Sequence, residues 1–192
     1  MSVATTDVGV ASKGLVLIGA DPIAAFDGSS RGAIVAEHIY DEAIEDILTD
    51  TPWSFATTQG DLSHLSDTPE SLWSDAWQKP TEALLIRRVT VNDIDVDYEV
   101  YADKVYCDYD ENNILTTNYI FRALEQDWPP YFRFAAELKL ASIFAMSVAG
   151  KPDMADTFQQ KAEYALRKAR SQDGQSDTTH AITTSRFIIA RR

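Results

Sequence analysis

Acidic residues at alternate positions are the first places in this chain where chemistry could occur. Asp93, Asp95 and Asp97 have the spacing that opens a calcium-binding loop. Such a loop needs glycine at its sixth position, which here is Tyr98. The carboxylates alternate with apolar residues, which is typical of a strand with one solvated face. The run 91–100 therefore predicts a β-strand and not a metal site.

A second acidic run has the same spacing. Asp108, Asp110 and Asn112 alternate, but Asn113 takes the sixth position and Tyr119 stands where a calcium loop has its bidentate glutamate. Aspartate and asparagine are frequent in tight turns because their side chains hydrogen-bond the nearby backbone. This run predicts a hairpin turn at 110–113.

Residues that could act as nucleophiles or ligands are scattered. His38, His64 and His180 lie far apart, and no pair has the spacing of metal ligands. The single cysteine, Cys107, excludes a disulfide within the chain and a cysteine zinc site. The sequence has no serine nucleophile flanked by glycines. It has no glycine-rich phosphate-binding loop either, since the segment 18–22 is a helix stop. We expect a protein that is not an enzyme, with no catalytic residue, cofactor or metal.

The acidic balance of the chain limits its partners. Its 192 residues carry 30 acidic and 17 basic side chains, a formal net charge of -13. A surface of this sign repels nucleic-acid phosphates, so specific DNA binding is not expected. No signal peptide is recognisable, and the longest apolar run, 134–149, is too short to span a bilayer. We therefore expect a soluble protein without a membrane partner.

Helical periodicity marks both ends of the chain, where apolar residues recur every three or four positions. The expected helix starts are residues that can cap or open a first turn: Asp7, Ser29 or Ser30, Pro130 and Asp153. The segment between lacks this period and instead shows short alternations typical of strands. Strands are expected at 84–86, 91–100, 105–109 and 115–121.

These elements predict an α+β fold. Two amino-terminal helices in 1–52 and two carboxy-terminal helices in 129–173 would form a four-helix bundle. A small antiparallel β subdomain would be inserted at 53–128, and 174–192 would be an extended carboxy-terminal arm. Five aromatic residues lie around the β segment: Trp53, Phe55, Trp73, Trp77 and Trp128. A small aromatic core under the strands is the favoured interpretation, and a ligand groove is the alternative.

The end of the chain carries the strongest functional signal. A polar stretch, 171–184, separates the helical region from an apolar triplet that is flanked by arginines. An apolar plug beyond a tether indicates a partner surface. The alternative is a last strand that returns to its own sheet, since β-branched and aromatic residues suit any strand. The residues expected to make the contact are Ile182, Arg186, Phe187, Ile188, Ile189, Arg191 and Arg192.

Short motifs occur in order along most of the chain. They are Leu17-Ile18-Gly19-Ala20-Asp21-Pro22-Ile23 with Phe26-Asp27; Tyr40-Asp41 and Pro52-Trp53-Ser54-Phe55-Ala56; Ala76-Trp77 with Pro80 and Glu82-Ala83-Leu84; Tyr98-Glu99-Val100 with Val105-Tyr106-Cys107-Asp108; Trp128-Pro129-Pro130-Tyr131-Phe132; and Ser185-Arg186-Phe187-Ile188-Ile189-Ala190-Arg191. In order and spacing they resemble the head-to-tail adaptor (connector) proteins of tailed bacteriophages, of the tail tubular protein A type and its relatives. Trp77 and Glu82 stand where that family more often has tyrosine and aspartate.

The resemblance implies a structural protein of the virion neck, made in the host cytoplasm. It implies a dodecameric ring of this chain that docks on the portal protein by its helices and by the carboxy-terminal arm. The β part would face the tail nozzle or another downstream tail component. Genomic DNA would pass through the ring without specific binding. The alternatives are a neck stopper or tail-completion protein, and a free acidic α+β protein with a regulatory or enzymatic role.

Overall fold

The computed structural model describes residues 6–66, 69 and 72–176 of the chain. In this part the fold is α+β, with four α-helices and two antiparallel sheets, which confirms the predicted class. The helices are α1 (Asp7–Leu17), α2 (Arg31–Asp50), α3 (Pro130–Ser147) and α4 (Pro152–Asp173). Short 3₁₀ helices lie at Ser54–Ala56, Glu125–Asp127 and Gly174–Ser176. The residues predicted to bind a partner at the end of the chain lie outside the described residues.

The helix ends follow local capping chemistry, with two corrections. The hydroxyl of Ser30 accepts a hydrogen bond from the Ala33 amide, as predicted for the start of α2. Thr6, and not Asp7, caps α1, because its hydroxyl accepts from the Gly9 amide at 3.1 Å. Asp153 does not cap α4, since Pro152 opens that helix one residue earlier.

In the described part of the chain, eight strands form the two sheets. They are β1 (Thr57–Asp61), β2 (Ser63–Leu65), β3 (Asp75–Gln78), β4 (Ala83–Val91), β5 (Ile94–Asp95), β6 (Glu99–Tyr101), β7 (Lys104–Cys107) and β8 (Leu115–Phe121). One sheet has the order β1-β8-β4-β5 and the other has the order β2-β3-β7-β6. The predicted strand 115–121 is β8, and the predicted turn follows Asp110, whose carboxylate accepts from the Asn112 amide.

The prediction of one strand over 91–100 is wrong. β4 ends at Val91, and the next two residues, Asn92 and Asp93, have φ values of 50° and 64°. Positive φ at both central residues suits a tight hairpin turn, so the chain reverses there into β5. The chain then leaves this sheet, and β6 belongs to the other one. The alternating acids therefore lie on a hairpin and a crossover, and Ile94 is 69% exposed.

Two hydrophobic cores hold the described residues together. The larger one surrounds α3, which contacts the three other helices and buries Phe132, Leu140 and Phe144 completely. It also takes in residues from beyond the helices, including Ile120 of β8. The smaller core lies under the strands and includes Trp77 and the single cysteine, Cys107.

The aromatic residues do not form one core under the strands. Trp53, Phe55 and Trp128 all contact Phe132 of α3, with ring centroids 5.0, 4.8 and 5.0 Å from it. They belong to the helical core because the chain enters and leaves the β region next to α3.

Candidate interaction surface

An open groove runs between the end of α1 and the outer sides of α3 and α4. It has a volume of about 730 Å³. Its walls are largely apolar, and the residues that define them are Leu17, Phe134, Leu138, Phe158, Tyr164 and Ala165. We call this feature the α3–α4 groove. A groove of this size and lining can hold a helix or an extended segment of another chain.

Large apolar side chains at the groove remain open to solvent. Leu17 is 41%, Phe134 55% and Tyr164 67% exposed. Phe134 is exposed although its neighbour on α3, Ala135, is buried. Exposed aromatic residues that gather in one groove are typical of an interaction surface.

The apolar arc of α4 is wider than its contact with α3 requires. Ala162, Leu166 and Ala169 are buried and form the packing face. The neighbouring row, with Phe158 and Ala165, is only half-buried and becomes a wall of the groove. The sequence therefore supplies a second, uncovered apolar row on the same helix.

The charge of the groove is opposite to that of the chain. Among the residues described, Lys161 and Lys168 are the charged side chains that line it, and no carboxylate does. The ammonium of Lys161 lies 5.2 Å from the ring centroid of Phe158, which is a cation–π contact. The groove therefore has a positive rim, although the net charge of the molecule is -13.

A hydrogen-bonded cluster fixes the end of α4. The carboxylate of Asp173 accepts from the Ser54 amide at 2.9 Å, from the Ser54 hydroxyl at 2.7 Å and from the Tyr131 hydroxyl at 2.7 Å. Desolvation, followed by the hydrogen bond to Asp173, raises the pKa of Tyr131 to about 12. The point from which the chain continues towards 177–192 is thus held to α3 and to the 3₁₀ helix after α2.

A second polar cluster joins α2 to the segment after β8. The buried carboxylate of Glu125 accepts from the Tyr40 hydroxyl at 3.1 Å and from the Arg122 guanidinium at 2.5 Å. The guanidinium lies 5.7 Å from the Trp128 ring centroid and 3.5 Å from the Asp41 carboxylate. Burial and the nearby Glu125 carboxylate raise the pKa of Tyr40 far above its usual range. These groups satisfy one another, so the cluster supports the fold.

The candidate ligands found in the sequence form no common site among the described residues. His38 is exposed on α2, and His180 lies outside the described residues. His64 is hydrogen-bonded to Asp75 at 2.9 Å and lies edge-on to Trp77, with ring centroids 5.0 Å apart. In the described ranges, no group of three or more histidine, cysteine, aspartate or glutamate side chains could hold a metal ion.

The α3–α4 groove is the feature that sequence reasoning missed. Helical periodicity placed Phe134 and Phe158 on apolar faces but could not show that these faces remain uncovered. The one signal in the sequence is Lys161 and Lys168, seven residues apart on α4 beside an apolar row.

No family model matches this chain, and no curated protein matches it either. None of the helices in the described ranges is long and apolar enough to cross a membrane.

Proposed function

We propose that this protein is a structural head-to-tail adaptor of a tailed phage virion. It forms a ring beneath the portal, joins the capsid to the tail and surrounds the channel for DNA. The support is the ordered series of motifs, from Leu17-Ile18-Gly19 near the start to Ser185-Arg186-Phe187 near the end, which resembles that family. The site of action is the virion neck, after synthesis in the host cytoplasm.

The proposal includes the architecture of a four-helix bundle with an inserted β subdomain. Its support is that α3 contacts α1, α2 and α4, while all eight strands lie between α2 and α3 in the chain. In this arrangement the helices and the segment 174–192 serve portal docking. The β part is left to meet the tail nozzle or another downstream component.

A structural feature that also supports the proposal is the anchored end of α4. Because Asp173 is held by Ser54 and Tyr131, the chain leaves the helices from a fixed point. Beyond it come the apolar triplet Phe187, Ile188 and Ile189 and the arginines beside it. Burying each apolar side chain in a partner could contribute roughly 1.5–3 kcal/mol before the ordering cost of the tether is subtracted.

The negative charge of the chain suits the wall of a channel through which DNA must pass. Twelve copies at -13 each would carry roughly -156 before counterions bind. A wall of that sign repels phosphates, so passing DNA does not adhere to it.

Reconstitution with phage heads that contain the portal but lack this chain tests the function. We expect the full chain to add a ring of density beneath the portal in electron micrographs. Replacing Phe187, Ile188 and Ile189 by serine should abolish attachment and leave the melting temperature unchanged, whereas the control Thr183→Ser should attach normally. A large fall in melting temperature with attachment intact would identify the segment as a core strand and contradict the proposal.

A further inference from the structure

The outward face of α2 carries a row of exposed side chains, most of them acidic. We call it the acidic stripe, and its members are Ile34, Glu37, His38, Asp41 and Glu45. Their spacing of three or four residues places them on one side of the helix. Within the described part of the chain, Asp41 has a cationic partner, Arg122 at 3.5 Å, whereas Glu37 and Glu45 have none. Ile34 adds an apolar group that is 46% exposed.

The acidic stripe and the α3–α4 groove are complementary in charge and in spacing. Lys161 and Lys168 are seven residues apart, which corresponds to about 10 Å along α4. Glu37 and Glu45 are eight residues apart, which corresponds to about 12 Å along α2. Long glutamate and lysine side chains can absorb this small difference. Neither lysine has a carboxylate partner among the described residues.

The terminal segment of this chain is a poorer match for the groove. Its apolar triplet is flanked by Arg186, Arg191 and Arg192. These cations would meet Lys161 and Lys168, and like charges at close range oppose binding. Charge therefore favours an acidic helix as the occupant.

We propose that the acidic stripe of one copy packs along the α3–α4 groove of a second copy of this chain. Ile34 and the aliphatic parts of the glutamates cover Phe134 and Tyr164, and the carboxylates meet the two lysines. The inference rests on the proposed function for its setting, since it names the surfaces that would build the ring. The stripe and the groove are different surfaces of one molecule. The contact is therefore heterologous, and its repetition generates a closed ring or a filament.

Disulfide trapping tests the geometry of the contact in the full chain. The double variant His38→Cys with Gln160→Cys places one thiol on the stripe and one beside the groove, while the native Cys107 is buried. We expect mild oxidation to give a ladder of covalent species beyond the dimer, because each copy offers both surfaces. Each single variant should remain mostly monomeric. A double variant that stays monomeric, or single variants that dimerise as readily, would overturn the proposal.

Charge reversal tests the chemistry of the contact in the trapping background. Lys161→Glu with Lys168→Glu, or Glu37→Lys with Glu45→Lys, should each reduce ladder formation about tenfold, because attraction becomes repulsion. Mixing the two variants should restore the ladder, since each then offers the other a surface of opposite charge. Failure of the mixture to recover would contradict the pairing of these residues.

One further variant separates the possible occupants. Ile188→Asp in the same background should leave the ladder unchanged. If it abolishes the ladder while the charge reversals have no effect, the groove binds the terminal segment and the inference is wrong. The proposed function is judged separately by attachment to portal-bearing heads. If the charge-reversal variants still form rings on portal-bearing heads, the proposed contact is wrong but the adaptor role is not.

Discussion

The backbone amide and hydroxyl of Ser54 both donate to the carboxylate of Asp173, although the two residues are 119 positions apart in the chain. Asp173 is 6% exposed and also accepts from Tyr131. The contact joins the last turn of α4 to the first residues after α2. It thereby sets the position from which the terminal segment begins.

Removing this carboxylate should destabilise the protein. Asp173→Ala removes three hydrogen bonds to a buried carboxylate, so we expect a loss of about 1–3 kcal/mol in the free energy of unfolding. Urea denaturation measures it. The matched control is Asp156→Ala, an exposed position on the same helix, which should change stability by less than about 0.5 kcal/mol. Equal losses in the two variants would show that the cluster adds no stability.

Tyr131 should make the protein less stable in alkaline solution. Its pKa is raised to about 12 in the folded protein, against about 10 in an unfolded chain. The unfolded chain therefore loses this proton first, and the free energy of unfolding falls as the pH rises from about 10 to about 12. Tyr131→Phe should show a shallower fall across that range than the wild type, and Tyr164→Phe, at an exposed ring, is the matched control. Identical slopes for Tyr131→Phe and wild type would contradict this expectation.

Asp75 should contribute to the loss of stability in acid. Hydrogen bonds from Ser74 and then from His64 lower the pKa of its carboxyl in the folded protein. Its contribution is therefore present above about pH 3.9, the unfolded value, and disappears as the pH falls through the folded pKa. Asp75→Asn should unfold with a weaker pH dependence below that value. The control is Asp93→Asn at an exposed turn position, and a slope unchanged by Asp75→Asn would count against the prediction.

Gly14 should not tolerate a large side chain. A Cβ atom at this position would lie 3.2 Å from the Leu140 Cβ and 3.3 Å from the Phe144 ring, because α1 and α3 approach closely there. Gly14→Leu should therefore lower the free energy of unfolding by about 1–3 kcal/mol through overpacking. Val16→Leu, an exposed change on the same helix, should have little effect in the same denaturant titration. A stable Gly14→Leu variant would indicate that the two helices can separate at low cost.

The free protein should bind duplex DNA negligibly at about 0.15 M salt. The reason is its net charge of -13, which opposes the phosphates of the duplex. Fluorescence anisotropy with a labelled duplex measures the binding, and a basic DNA-binding protein serves as the positive control. A dissociation constant in the low micromolar range would contradict the acidic channel.

Local chemistry was readable in the sequence. Gly19 and Gly150 end α1 and α3 with positive φ, as their positions beyond the periodic apolar residues predict. The hairpin turn after Asp110 and the strand 115–121 could also be read, since both depend on neighbouring residues alone. Periodicity and capping act within a few positions, so one sequence is enough to recognise them.

Tertiary structure decided which surfaces meet and which stay open. Alternation over 91–100 predicted one strand, but positive φ at Asn92 and Asp93 turned it into a hairpin whose continuation joins the other sheet. Phe134 and Tyr164 belong to ordinary helical patterns, so the sequence does not show whether they are covered. The way in which α1 and α4 pack on α3 leaves both side chains exposed. The pattern of apolar residues along one helix or strand determines which of its faces is apolar. The partner of a face can lie more than a hundred positions away in the chain, as the pairing of Ser54 with Asp173 illustrates.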